Sequence, residues 1–343
     1  MENIKVRVLS KATLVKGQGV GSAYLEQVEL IKSNPDLISV YLKKDKGRCD
    51  IYHIHTVNPT YYLRMTKKHT NIMYVHFLPE TLDDSIRLPK LLLVGFKWYI
   101  RKFYKKANEL VVVNPAYIEK LKNIGFDEKH ITYIPNYVSK EHFYPLSEEE
   151  KAKIREKYSV PSDKFVVLGV GQIQTRKGLD DFLTCAEKCP DKIFIWAGGF
   201  SFSHLSHGYK NLRKRVKNPP ENVKFVGILD RATMNEIYNI SSLLFMPSTS
   251  ELFPMSILEA SNVGIPILLR DLSLYKEILF DYYLKGKNVV EFCSVIDKLN
   301  SNSSFYEEAR NKSIKITDFY NRDYVNNLWR EYYSRLYENK GEK

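Results

Sequence analysis

Glu251 and Glu259 stand on either side of seven residues, LFPMSIL. An ionised carboxylate only accepts hydrogen bonds, and it grips the vicinal hydroxyls of a sugar ring. Pro254 suits the first turn of a helix. The amides of Phe253, Met255, Ser256 and Ile257 would then point unpaired from the helix N-terminus, an end that attracts phosphate. A ribose at one glutamate, a second sugar at the other and a diphosphate over the helix end outline a nucleotide-sugar. Two glutamates at this spacing also arise by chance, as a solvated loop residue and an exposed helix residue, so other parts of the chain have to agree. Gly171, followed by Arg176 and Lys177, offers a second phosphate turn, with cations that neutralise a diphosphate. Gly17, Gly19 and Gly21 form a third glycine-rich turn, weak as evidence because any flexible turn explains it.

The elements that would position these residues alternate along the chain. Leu243 to Met246 is an apolar run that reads as a buried strand, broken at Pro247 and Ser248, with Ile257, Leu258 and Val263 then falling at helical spacing. Residues 4–9 alternate as a first strand, and the helical run Ala23 to Lys32 follows the glycines. SVYLKK, DIYHIHT and NIMYVHFLPET are three more short strands. Two of them end in histidine, which puts His53, His55 and His76 near the carboxyl edge of a parallel sheet, where open α/β sheets bind ligands. His53 lies within an apolar strand and reads as core. FVVLGV, IFIWAGG and NVKFVG repeat the pattern later, so strands alternating with helices predict two parallel-sheet domains in a chain long enough for both.

With these passages in order, the chain resembles the retaining glycosyltransferases of family 4, which have the GT-B fold of two Rossmann-like domains facing a cleft. The resemblance is carried by Glu251, seven residues and Glu259, by the Ala-Ser-x-x-Gly-Ile-Pro turn after them, by Lys177-Gly178, and by the IPN passage with Phe143 and Pro145. It implies a UDP-hexose donor, with Glu259 on the ribose, Glu251 on the hexose hydroxyls, and Arg176, Lys177 and the amides of 253–257 on the diphosphate. It also implies Gly19 and Gly21 over the donor phosphates and His76 near the transferred sugar, with His76, Glu251 and Lys177 as the catalytic set, and neither metal nor cofactor. Two departures stand out. Gln172 occupies the place of the family's usual arginine, leaving Arg176 as the nearby cation, and Leu252 follows the first glutamate where glycine is usual. The expected division is 1–145 for the acceptor domain, 146–164 for a charged linker, 165–318 for the donor domain and 319–343 for a helix crossing back.

The net charge is +12, from 52 Lys and Arg against 40 Asp and Glu. Such a surplus attracts nucleic acid or anionic lipid. Part of it lies in LPKLLLVGFKWYIRKFYKKA, residues 88–107, a basic amphipathic helix in which no acid dilutes Lys90, Lys97, Arg101, Lys102, Lys105 and Lys106. With Trp98 and Phe103 it suits a bilayer interface, with aromatics at headgroup level and cations on anionic lipid. No nucleic-acid motif accompanies the charge. A lipid acceptor is therefore expected, and VHFLPETLDDS resembles the streptococcal-type glycolipid synthases that add a hexose, galactose before glucose, to glucosyl-diacylglycerol. A glycan-precursor acceptor, a silent nucleotide-sugar sensor and a nucleic-acid-binding protein are the competing readings. The basic stretch 204–217 reads as a second lipid-facing loop. No run reaches the ~18 uncharged apolar residues of a membrane span and the N-terminus lacks a signal peptide's pattern, so a peripheral protein on the cytoplasmic face is expected. Cys185 and Cys189, four apart on an expected helix, lack the second pair of a metal site and read as core.

Overall fold

The computed structural model describes residues 3–14, 17, 19–82, 89–200 and 208–341. These fall into two compact units, one of the described residues up to 137 with 320–341, the other of those from 138 to 319. The first holds β1 (Ile4–Leu9), α1 (Gly19–Lys32), β2 (Ile38–Tyr41), β3 (Ile51–Ile54), α2 (Pro59–Arg64), β4 (Thr70–Val75), α3 (Lys90–Lys106), β5 (Glu109–Val112), α4 (Ala116–Asn123) and β6 (Ile131–Tyr133). The second holds α5 (Glu148–Lys157), β7 (Val166–Val170), α6 (Leu179–Lys188), β8 (Ile193–Ala197), α7 (Tyr209–Lys217), β9 (Val223–Gly227), α8 (Arg231–Asn239), β10 (Leu243–Met246), α9 (Met255–Val263), β11 (Ile267–Arg270), α10 (Lys276–Leu279), β12 (Leu284–Gly286), α11 (Val289–Ser301) and α12 (Ser303–Phe319). The chain then returns to the first unit with α13 (Arg322–Gly341), which packs on α1 and β1.

Among the described residues each unit has one six-stranded parallel sheet, ordered β2-β1-β3-β4-β5-β6 and β12-β11-β10-β7-β8-β9. Strands buried on both faces are largely apolar, which is why VVLGV and LLFM read as unbroken runs, while β5 is apolar after Glu109, whose carboxylate meets His130 Nδ1 at 2.9 Å. β1 also carries a buried charge, Arg7, whose guanidinium donates to the carbonyls of Asp45 (2.8 Å) and Gly47 (2.9 Å). Strand order reverses between β1 and β3 in the first sheet and between β7 and β10 in the second. Such switch points open a crevice at the carboxyl ends of the strands.

The boundaries differ from the sequence expectation. Residues 146–164 do not form a linker, because Ser147 and Glu150 make a reciprocal capping box that starts α5, and α5 then docks on the second unit. Ile154 is buried, Arg155 donates to the Ile240 carbonyl (3.1 Å), and Lys157 pairs with Glu236 (2.6 Å). Its high charge is that of a helix with one buried side. Gly19 and Gly21 are likewise not a loop ahead of the helix but the first turn of α1. Of the stretch 204–217 expected as a second basic loop, 204–207 lie outside the described residues, and 209–217 form α7, where Arg215 pairs with Asp180 and Glu187.

Candidate active site

The second unit's switch point is built by close backbone approaches that only glycine permits. After β7, Gly171 has φ +147° and lies against the aliphatic stem of Lys177, 3.3 Å from where a Cβ would sit. Gly178 has φ +72°, and a Cβ there would come within 2.3 Å of the Pro247 carbonyl oxygen. That contact draws the loop after β7 against the loop after β10, and the Thr249 amide donates to the Arg176 carbonyl (2.8 Å). Lys177 Nζ consequently donates to Glu251 Oε1 at 2.5 Å, with Arg176 Nη1 3.8 Å from Glu251 Oε2. Arg176 is held by Gln174 Oε1 (3.1 Å) and the Ser250 carbonyl (3.1 Å), and Gln174 donates in turn to Gln172 (2.8 Å).

Two cations thus share one carboxylate that is only 6% exposed. Burial works against charge on Glu251, but Lys177, Arg176 and the hydroxyl of Ser248 outweigh it and hold the carboxyl below its ordinary range. Burial pushes the Lys177 amine down, and the neighbouring Arg176 adds to this against the pull of Glu251. The cluster keeps a surplus of positive charge, as a diphosphate site requires.

Glu259, 9% exposed, is the fifth residue of α9. Tyr238 on α8 donates to its Oε2 at 2.7 Å and lies 3.3 Å from the Ser256 carbonyl. Neither glutamate is the solvated surface residue that a chance pair would be. At the start of α9 the Ile257 amide turns inward to the Pro254 carbonyl (3.2 Å), so it is not one of the open donors expected there. Helix geometry leaves the amides of Met255 and Ser256 as first-turn donors, while the side chains of Phe253, Met255, Ser256 and Ile257 are buried.

In the first unit, His76 follows β4 and meets His55, which follows β3, with His76 Nε2 3.1 Å from His55 Nδ1. His55 Nε2 lies 2.6 Å from Gln27 Oε1 on α1, and the Gln27 amide nitrogen lies 3.1 Å from both His53 Nδ1 and Tyr333 Oη. Burial holds these imidazoles neutral, pushing His53 and His76 down to about 3 and His55 well below its ordinary value. The structure therefore brings together Arg176, Lys177 and Glu251 in one unit and His76, His55 and Gln27 in the other.

The expected lipid-facing set on α3 is corrected in part. Phe103 is fully buried with Ile100 and Tyr104, its ring 5.8 Å from that of Tyr62. Lys106 is also turned inward, donating to the Tyr62 carbonyl (2.7 Å) over the Tyr62 ring. These residues fall on the stripe that must pack on the unit. The outward apolar side chains are Leu91 (84% exposed), Leu92, Val94 and Trp98 (61%), with Lys90, Arg101, Lys102 and Lys105 exposed around them. Leu88, expected in this helix, lies outside the described residues. Arg101 has an acidic partner that its own helix lacks, Glu80 at 3.2 Å. No helix among the described residues is long and apolar enough to cross a membrane.

Comparison with known proteins bears on this geometry at three levels. The family model described as Glycosyl transferases group 1 matches residues 150–316, and that described as Glycosyltransferase Family 4 matches 29–142. The alpha-galactosylglucosyldiacylglycerol synthase of Streptococcus pneumoniae is 38% identical over 97% of this chain and 90% of its own. The chain belongs to glycosyltransferase family 4. A second relative of this family 4 chain, the processive diacylglycerol alpha-glucosyltransferase of Acholeplasma laidlawii, is 25% identical over 84% of this chain and 86% of its own. The structure of Anabaena HepE in complex with UDP and glucose superposes with a TM-score of 0.77 at 15% identity, covering 97% of this chain and all of the other. That likeness establishes the GT-B fold.

Sequence reasoning about the family 4 site missed Tyr238, Gln174 and Gln27. Tyr238 and Gln27 sit inside ordinary helical patterns, and nothing in their spacing separates them from core. His55 carried a signal, since two residues from His53 on a strand puts both on one face.

Proposed function

We propose that this glycosyltransferase moves a hexose, galactose in preference to glucose, from a UDP-sugar to a membrane glycolipid such as glucosyl-diacylglycerol, with retention of configuration and without a metal. The carrying observation is the buried Lys177–Glu251–Arg176 cluster beside the N-terminus of α9, in a chain 38% identical to a synthase named for that glycolipid. In this reading the cluster's surplus positive charge and the amides of Met255 and Ser256 take up the charge that builds on the diphosphate as the anomeric bond breaks. Glu259, oriented by Tyr238, accepts hydrogen bonds from the ribose. Glu251, once Lys177 turns to the phosphates, accepts from the hexose hydroxyls. The acceptor hydroxyl attacks the face that the diphosphate leaves, and its proton passes to the departing phosphate oxygen, so no side-chain nucleophile takes part. The outward side of α3 supplies peripheral attachment to anionic membrane through Leu91, Leu92, Val94 and Trp98 and the cations beside them.

The test presents glucosyl-diacylglycerol in anionic vesicles with UDP-galactose, UDP-glucose and UDP-N-acetylglucosamine, in chelator, and reads products by mass spectrometry and anomeric NMR. An α-linked galactosyl product is expected. No transfer from any donor, or transfer only with added divalent metal, would overturn the proposal.

A further inference from the structure

The first unit carries a chain of buried polar contacts that the family resemblance did not point to. Gln27 Oε1 lies 2.6 Å from His55 Nε2, and His55 Nδ1 lies 3.1 Å from His76 Nε2. The orientation of the Gln27 amide follows from its partners. Two acceptors, His53 Nδ1 and Tyr333 Oη, stand 3.1 Å away on one side, which suits the two hydrogens of the amide nitrogen, while the single 2.6 Å contact suits the oxygen accepting from an N–H. An imidazole that is neutral has one donor and one acceptor nitrogen, and the partner of one nitrogen dictates the other.

The order then propagates. His55 donates through Nε2 to Gln27, so its Nδ1 accepts. His76 must therefore donate through Nε2, and its Nδ1 is left with a lone pair and no partner among the described residues, on a half-buried ring at the carboxyl end of β4. The far end is anchored by α13, where Tyr333, buried beside Trp329, bonds His53 Nδ1 at 2.7 Å.

We infer that Gln27, acting through His55, is a positioning residue that fixes the tautomer of His76, so that His76 Nδ1 meets a substrate hydroxyl as a hydrogen-bond acceptor. This rests on the reading that His76 contacts substrate. A hydroxyl held by an acceptor presents its oxygen in one orientation. The opposite tautomer would offer it an N–H and turn it about.

The first test needs no variant: ring-nitrogen correlation NMR of the 15N-histidine-labelled protein at pH 7 should show His76 protonated at Nε2 and bare at Nδ1. Protonation at Nδ1 would overturn the inference. Gln27→Leu removes the acceptor and should abolish that preference, lowering kcat about 10- to 100-fold while donor KM and UDP affinity hold, by analogy with partners that orient ligating histidines. Gln27→Glu, which restores an oxygen for His55, should recover the Nε2–H form and most of kcat. Wild-type kcat in Gln27→Leu would sink the relay. His76→Ala separates the two claims: undiminished transfer removes His76 from the substrate, and the inference with it, whereas lost transfer beside an unimpaired Gln27→Leu removes the relay alone.

Discussion

At the scale of single residues, the shared carboxylate of Glu251 alters what its substitution should do. Taking the pair as a sugar contact alone, Glu251→Gln would lose transfer and leave UDP binding untouched. Because Glu251 also neutralises Lys177 and Arg176, removing its charge leaves two cations for the diphosphate. Glu251→Gln should therefore bind UDP as tightly as wild type or tighter, while transfer falls about 10- to 100-fold for a charged hydrogen bond of about 1.5 to 3 kcal/mol. Calorimetry against UDP with a parallel transfer assay checks this, and weakened UDP binding would place the residue on the nucleotide. Glu259 behaves oppositely. Glu259→Ala should weaken UDP by about 1 to 3 kcal/mol, and Tyr238→Phe, which removes only the donor that aims it, by about 1 kcal/mol. An unchanged affinity in both would put the ribose elsewhere.

At the scale of elements, the informative cases are a turn and a helix. Gly178→Ala asks a side chain to adopt φ +72° against the Pro247 carbonyl. The left-handed backbone alone costs about 1 kcal/mol, and the clash must also push apart the two loops that bring Lys177 to Glu251. Transfer should be largely lost while α6 still forms, and a crystal structure would show Lys177 displaced. On α3 the outward and inward faces can be told apart by experiment. Replacing Lys97, Arg101, Lys102 and Lys105 with glutamine should release the protein from anionic vesicles, at about 1 kcal/mol per cation near the surface, with Arg101 contributing least because Glu80 already pairs with it. About 3 kcal/mol is roughly a hundredfold in partitioning, and high salt should mimic it. A quadruple variant that sediments with vesicles as wild type does would exclude the helix as the electrostatic anchor.

At the scale of the whole molecule, the buried His53 and His55 and the half-buried His76 couple the first unit to pH. His53 and His76 are pushed down to about 3 when folded, against about 6.5 when unfolded. Between those values the unfolded chain binds more protons, so stability is complete above about pH 6.5 and falls as pH drops toward 3. The slope is about 1.4 kcal/mol per pH unit for each histidine. The groups against them are the phenols of Tyr74 and Tyr333 and the amide of Gln27, with the Tyr24 ring beside His55. Hydrogen exchange should show β3 and β4 losing protection from pH 7.5 to 5.0 by more than β7 and β10. Equal loss in both sheets would refute it.

The sequence by itself determined the alternation of strands and helices, the two parallel sheets, the glutamate pair at the start of a helix and the basic stretch with Trp98, because each is a local pattern of residue type and period. It could not determine which side of α3 faces inward, since Phe103 and Trp98 are equally apolar and only packing against Tyr62 separates them. It misread 146–164 as a linker because one buried face of a short charged helix leaves little periodic trace. Only the tertiary structure decided that Lys177 and Arg176 share Glu251, 74 residues on from Lys177. That meeting depends on two loops closing at Gly178, and the Gln27–His55–His76 chain likewise on a helix packing across strand ends. Contacts between residues far apart in the chain are set by where strands exchange neighbours in a sheet, a property that no stretch of the sequence carries alone.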